Sequence, residues 1–200
     1  MPTEIEAKFL DVDHDAVRVK LRAAGAELTH PMRQMRRVLL DYPDKRYQTN
    51  PDTGRLRIRD EGDKLTITFK QRPAGEQYSR EWETTIGSYD DMRDLLVAMG
   101  LHVYSFQESK RETWRLHNVE VVLDEWPWLK PYIEIEGPDE ASIKAAAKEL
   151  GFDWTDAKFG SVETAYRAQY PGMAEQEVIG LVPEVKFDAP LPEFLKARMQ

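Results

Sequence analysis

From residue 4 the chain alternates. Glu4, Ile5, Glu6, Ala7 and Lys8 put carboxylates and an ammonium on one face of an extended strand and apolar groups on the other. The same two-residue period returns at Tyr132, Ile133, Glu134, Ile135 and Glu136. It also predicts strands at 34 to 42, at Leu56 to Asp60 and Lys64 to Gln71 with Glu61, Gly62 and Asp63 as a hairpin turn, and at Arg80 to Ile86. Further strands fall near 103 to 116, 119 to 125 and 132 to 136. Helical spacing replaces alternation at Asp13 to Ala24, where Ala16, Val17, Leu21 and Ala24 share a face and Gly25 caps the end. It recurs at Asp90 to Met99 before Gly100, at Glu140 to Leu150 after Pro138 and Asp139, and at Val162 to Gln169. Pro43 to Gly54 is a polar, turn-rich loop. After Tyr170, Pro171, Gly172, Pro183, Pro190 and Pro192 leave little periodicity, so 1 to 170 is predicted as one domain and 171 to 200 as an appendage.

The charges follow the alternation by sign. Arg55, Arg57 and Arg59 share a face opposite Leu56 and Ile58, and Lys64, Thr66, Thr68, Lys70 and Arg72 share one opposite Leu65, Ile67 and Phe69. Carboxylates take the equivalent places elsewhere: Glu81 and Glu83 alternate with Trp82 and Thr84, and Glu120 and Asp124 with Val121 and Leu123. An antiparallel sheet with one solvated face gives the same alternation, but a solvated face tends to intersperse the signs. Amphipathic helices are also available to cover the apolar faces. If they pack outside a closed or cupped sheet, the charges turn inward. A barrel of about eight strands can hold a ligand, and one lined by both cations and carboxylates suits a polyanion with its divalent metals.

Composition narrows the class. The chain has 200 residues, net charge −8, 41% apolar residues and five Trp, a globular composition with ample core material. No apolar run approaches a membrane span and the N-terminus lacks a signal-peptide layout, so a cytoplasmic protein with no membrane partner is expected. With no Cys, disulfides and thiolate metal sites are excluded, and any metal is held by oxygen or imidazole. His14, His30, His102 and His117 are scattered without ligand spacing, and no P-loop, Gly-x-Ser-x-Gly or dinucleotide fingerprint occurs.

Glu4, Glu6 and Lys8 match the Glu-x-Glu-x-Lys signature of the CYTH superfamily, the triphosphate tunnel metalloenzymes, and the chain resembles that family from about residue 4 to 166. The later landmarks fall in order: Leu56 to Arg59, Lys70, Glu81 and Glu83, Arg111, Leu123 and Asp124, and Glu134 to Gly137. A lone Glu-x-Glu-x-Lys is weak; the ordered set is specific. The resemblance implies an α+β fold, an eight-stranded antiparallel β-barrel, or tunnel, with helices packed outside. It also implies Mg²⁺ or Mn²⁺ as cofactor and a small-molecule triphosphate as substrate. Carried over by position, Glu4, Glu6, Asp124, Glu134 and Glu136 correspond to the metal-associated set, with Glu81 and Glu83 as further candidates. Lys8, Arg57, Arg59, Lys70 and Arg111 correspond to phosphate binders, Arg37, Arg72 and Lys158 are additional candidates, and Lys110 is assigned to solvent because it faces away from Arg111. Glu4, Glu6, Lys8, Lys70 and Arg111 form the expected catalytic group.

Two departures from the family pattern stand out. Lys130 and Pro131 replace a Gly-containing turn before Tyr132, and Val162 follows Ser161 where the family places an aromatic. The loop bearing Tyr42, Tyr47 and Gln48 also differs, and is where selectivity for an organic group is expected. Trp126 and Trp128, flanking Pro127, could stack on a base, although packing is the commoner role. The resemblance admits a metal-dependent triphosphatase, a class IV adenylyl cyclase, or a polyphosphate- or nucleotide-binding module without catalysis. A nucleic-acid channel would want exposed interleaved aromatics and few carboxylates, which argues against it. A homodimer is admitted. Crowded carboxylates should raise some pKa values and favour activity at alkaline pH.

Overall fold

The structure, a computed structural model, describes residues 5–50, 52–71 and 80–198. Glu4 and Arg72 lie outside the described residues. In chain order the first elements are β1 (Ile5–Phe9), α1 (His14–Ala23), β2 (Glu27–Asp41), α2 (Arg46–Thr49), β3 (Arg55–Asp60), β4 (Leu65–Gln71), β5 (Arg80–Thr85) and α3 (Tyr89–Ala98). They are followed by β6 (His102–Leu116), β7 (Val119–Glu125), β8 (Tyr132–Gly137), α4 (Glu140–Glu149), α5 (Val162–Gln169), β9 (Glu184–Val185) and α6 (Glu193–Lys196). The strand order is β1-β8-β7-β6-β2-β3-β4-β5, with the β1–β8, β8–β7, β7–β6, β2–β3, β3–β4 and β4–β5 ladders antiparallel and β9 added beside β6 in parallel. The α+β antiparallel sheet expected from the sequence is therefore present. Its order ends at β1 and β5, and among the described residues no ladder joins them.

The helix starts are capped by the residues the sequence offers. Asp13 Oδ1 accepts the backbone N–H groups of Asp15 and Ala16 at 2.8 and 3.3 Å, and Asp139 Oδ1 accepts that of Ser142 at 2.7 Å. At the β3–β4 turn Gly62 adopts φ 89°, a left-handed conformation that side chains disfavour, and its N–H donates to Asp60 at 2.8 Å.

The chain divides into two compact units, with β2 and β6 contributing to both. The first comprises residues 5–33, 109–177 and 190–198. There Ala7, Phe9, Val121, Leu123, Ile133 and Ile135 turn one sheet face into a core, closed by Val17 and Leu21 of α1 and by Ile143, Ala146 and Ala147 of α4. The alternate positions, carrying the charges, face the other way. The second unit comprises residues 34–108 and 178–189. Its apolar face joins Val38, Leu40 and Ile58 to Tyr89 and Leu96 of α3, with Leu101. In both units the greasy half of the alternation is what the helices cover, which fixes the direction of the charged half.

Two segments differ from expectation. β2 begins at Glu27 rather than near 34, because Pro31 and the polar residues beside it break the strand pattern without breaking the strand. The 43 to 54 loop contains the single helical turn α2, anchored by Asp41. This buried carboxylate accepts the backbone N–H groups of Tyr42, Tyr47 and Gln48 at 2.7, 3.1 and 2.9 Å. Among the described residues no helix is long and apolar enough to cross a membrane.

Candidate functional site

In the first unit, antiparallel pairing sets Glu6 against Glu136 and Lys8 against Glu134, while β7 sets Asp124 against Tyr132 and β6 sets Arg111 against Asp124. Directly paired residues share a face, so these side chains converge. One carboxylate oxygen from each of Glu6, Glu134 and Glu136 lies within 4.8 Å of the others. The Lys8 ammonium, 1% exposed, donates to Glu6 at 2.8 Å and meets Glu134 at 3.1 Å. Arg111 forks onto Asp124 at 2.8 and 2.6 Å and reaches Glu134 at 2.9 Å. Asp124 thus has both oxygens engaged by one guanidinium and stands apart from the three-carboxylate cluster.

Lys8 and Arg111 serve Glu6, Asp124 and Glu134 between them, and that sharing shows in their titration. Burial disfavours charge on Lys8 and Arg111, yet the neighbouring carboxylates overcome it and both titrate above their ordinary ranges. Burial likewise works against ionised Glu134, but Arg111 and Lys8 hold it below the usual carboxylate value. Glu136 makes no ion pair among the described residues, and the more distant Arg111 only partly offsets its surroundings. Burial, then repulsion from Glu134, Glu6 and Glu120, pushes it up to about 7. Three hard oxygen donors this close together fit a divalent cation of the Mg²⁺ or Mn²⁺ type, which Glu6, Glu134 and Glu136 would hold.

The Glu136 shift has a sign that can be checked. An unfolded glutamate titrates near 4.5 and the folded one near 7, so the native state binds the extra proton between those values. The stabilisation is complete below about 4.5 and is lost as pH rises towards 7, on the order of 2–3 kcal/mol. Urea denaturation of metal-free protein should show that decline, and Glu136→Gln should flatten it. A slope unchanged in Glu136→Gln would refute the assignment. Divalent-cation affinity should move oppositely, rising as Glu136 ionises.

In the second unit the charged face carries cations. β3 pairs Arg57 with Thr68 and Arg59 with Thr66 of β4, and β5 pairs Lys70 with Glu81 and Thr68 with Glu83. Arg57 is under-neutralised: Glu81 and Glu83 stand 3.8 and 3.9 Å away, its Nη2 donates to Thr68 Oγ1 at 3.3 Å, and its buried Nε has no partner among the described residues. Burial, then repulsion from Arg59, lowers it to about 10. Arg59 pairs with Glu61 at 3.2 Å and Lys70 with Glu81 at 3.2 Å. Glu83 accepts from Thr68 at 2.8 Å and Lys64 at 3.1 Å. Glu81 and Glu83 therefore sit among cations, as their counter-ions. Arg37 donates through Nε to Gln107 at 2.7 Å.

Lys158 enters by a route the alternation does not reveal. Its backbone N–H and C=O pair with those of Lys8 at 2.9 and 2.8 Å, an isolated antiparallel bridge that puts its exposed side chain on the Lys8 face. Lys110 pairs with Glu125 at 3.5 Å. Tyr132, buried beside Asp124 and Glu134, was not singled out from sequence, although its parity with Glu134 and Glu136 is the signal that places it there.

Residues 2–164 match the CYTH domain, and the chain belongs to that family. No curated protein sequence resembles it closely enough to count as a match. Among solved structures, a Vibrio parahaemolyticus protein described as a candidate adenylate cyclase aligns at 19% identity and TM-score 0.67, over 79% of this chain and 94% of its own. Protein PH1012 of Pyrococcus horikoshii aligns at 22% identity and TM-score 0.61, over 78% and 94%. The Hippeastrum candidate adenylyl cyclase HpAC1, described as having a dominant triphosphatase activity, aligns at 15% identity and TM-score 0.54, over 88% and 100%. At these identities the likeness is one of fold: an antiparallel sheet with helices, consistent with the barrel-like tunnel of the family.

Proposed function

We propose that the protein is a metal-dependent triphosphatase. It hydrolyses the terminal phosphoanhydride of inorganic tripolyphosphate or an organic triphosphate and releases orthophosphate. The observation that carries the reading is the Glu6–Glu134–Glu136 cluster, three carboxylates with one oxygen each within 4.8 Å of the others. When bound there, Mg²⁺ or Mn²⁺ supplies charge neutralisation at phosphate oxygens. Lys8 and Arg111, fixed by their carboxylate partners, cannot turn away and hold positive charge at this face. In the second unit Arg57, with a buried donor unused among the described residues, and Arg59 and Lys70, each paired with a carboxylate, offer positive charge suited to phosphate oxygens. Phosphoryl transfer asks for this kind of positioning and electrostatic support more than for covalent chemistry.

A cyclase would add a purine site. The ring stack of Tyr47, Phe69 and Trp82 does not favour one, because Phe69 and Trp82 alternate with Lys70 and Glu81 and take the opposite face. A module that only binds polyphosphate would be hindered by the excess carboxylates. The test is incubation with tripolyphosphate, ATP and thiamine triphosphate, each with Mg²⁺ or Mn²⁺, separating orthophosphate from cyclic AMP. Orthophosphate released only with the divalent ion is expected. Cyclic AMP as the main product, or no turnover of any of the three, would overturn the proposal.

A further inference from the structure

The C-terminal segment lies beyond the residues matched to the CYTH family, yet residues 178–189 are built into the second unit. β9 runs parallel to β6, with Phe106 against Glu184 and Gln107 against Val185, and the Phe106 N–H donates to the Pro183 carbonyl at 2.8 Å. Ile179 and Val185 are buried. The segment thus presents fixed backbone to β6.

Three hydrogen bonds lead from that backbone to Arg37. Ser105 Oγ donates to the Val182 carbonyl at 2.6 Å, Gln107 Nε2 donates to Ser105 Oγ at 3.0 Å, and Arg37 Nε donates to Gln107 Oε1 at 2.7 Å. The sense of each is dictated by chemistry. Guanidinium and amide nitrogens only donate and carbonyls only accept, so the one hydroxyl proton of Ser105 goes to Val182 and a lone pair to Gln107. Ser105 and Gln107 are each 1% exposed, on the face of β6 opposite Phe106. With water kept out, the amide cannot turn over without leaving a buried donor or acceptor unmatched. A fixed amide oxygen fixes the Nε edge of Arg37 and, through it, the plane of the guanidinium fork.

We infer that residues 178–185 are a positioning element of the substrate site, setting Arg37 as a phosphate ligand through Val182, Ser105 and Gln107. Arg37 acts on the triphosphate directly, so this inference rests on the triphosphatase reading. Ser105, Gln107 and the tail act through Arg37. A segment outside the family match therefore tunes how tightly this chain holds its substrate.

The experiment measures tripolyphosphate binding to the full chain by calorimetry in EDTA, where turnover is absent. Ser105→Ala and Arg37→Ala should each weaken binding about tenfold, and the double variant should be no weaker than Arg37→Ala alone. Gln107→Leu, which removes the acceptor for Arg37 and the donor to Ser105, should weaken binding by a similar factor. If Ser105→Ala exerts its full factor in the Arg37→Ala background, or Gln107→Leu binds like the parent, the inference is wrong. A second readout needs no substrate. The Arg37 Nε–H resonance, identified by its loss in Arg37→Ala, should exchange slowly with water in the parent and fast in Ser105→Ala; equal exchange overturns the positioning. If the parent binds no tripolyphosphate, the triphosphatase reading falls, while the exchange measurement still decides whether the relay holds Arg37.

Discussion

Glu6→Gln is expected to lower kcat for tripolyphosphate by roughly a hundredfold or more, with the fold intact. Glu6 is more open than Glu134, with a side chain 35% exposed against 8%. Its amide replacement keeps the shape, and Lys8 keeps Glu134 as a partner at 3.1 Å. What disappears is one anionic donor for the divalent cation. Steady-state phosphate release and a urea denaturation curve, measured on the same preparation, separate the two effects. A variant within a few-fold of the parent in turnover would remove Glu6 from the site.

Arg111→Met should act on stability first. The guanidinium is the shared counter-charge of Asp124, 1% exposed, and Glu134, 8% exposed at its side chain. Removing one partner of a buried pair leaves the others charged and desolvated, a loss of about 3–5 kcal/mol. The relief open to the variant is protonation of Asp124 or Glu134, so its stability should recover as pH falls, where the parent's paired carboxylates gain nothing. Chemical denaturation at pH 5 and pH 8 checks this. Equal losses at both values would mean that Arg111 is not the charge that keeps those carboxylates ionised.

How much of this was legible in the sequence depends on the range of each interaction. The β1 and β8 strands were readable because a period of two is local: it put Glu6 with Lys8 on one face of β1 and Glu134 with Glu136 on one face of β8, and the β1–β8 pairing joined the two sets. α1 and α4 announced themselves through Asp13 and Asp139 as caps. The features that stayed hidden are bonds between distant backbone and side-chain groups, which leave no period. The Lys8–Lys158 bridge is one. The anchoring of α2 by Asp41 and the path from Val182 to Arg37 are others. The turn at 126 to 130 is held in the same way: Tyr166 and Tyr170 of the α5 region each donate to its carbonyls, Pro127 and Trp128, at 2.6 Å. Glu81 and Glu83 show a different limit. Their alternation matched that of the clustered glutamates Glu6, Glu134 and Glu136, but only the pairing of β4 with β5 reveals that their neighbours are Lys64, Lys70 and Arg57.

The role of the carboxylate cluster is tested most directly by titrating Mn²⁺ into the protein at pH 8 and counting the free ion by electron paramagnetic resonance. The account predicts a saturable site in the parent whose affinity drops at least about tenfold in Glu136→Gln, the loss of one anionic ligand. No saturable site, or one that Glu136→Gln leaves unchanged, would contradict it.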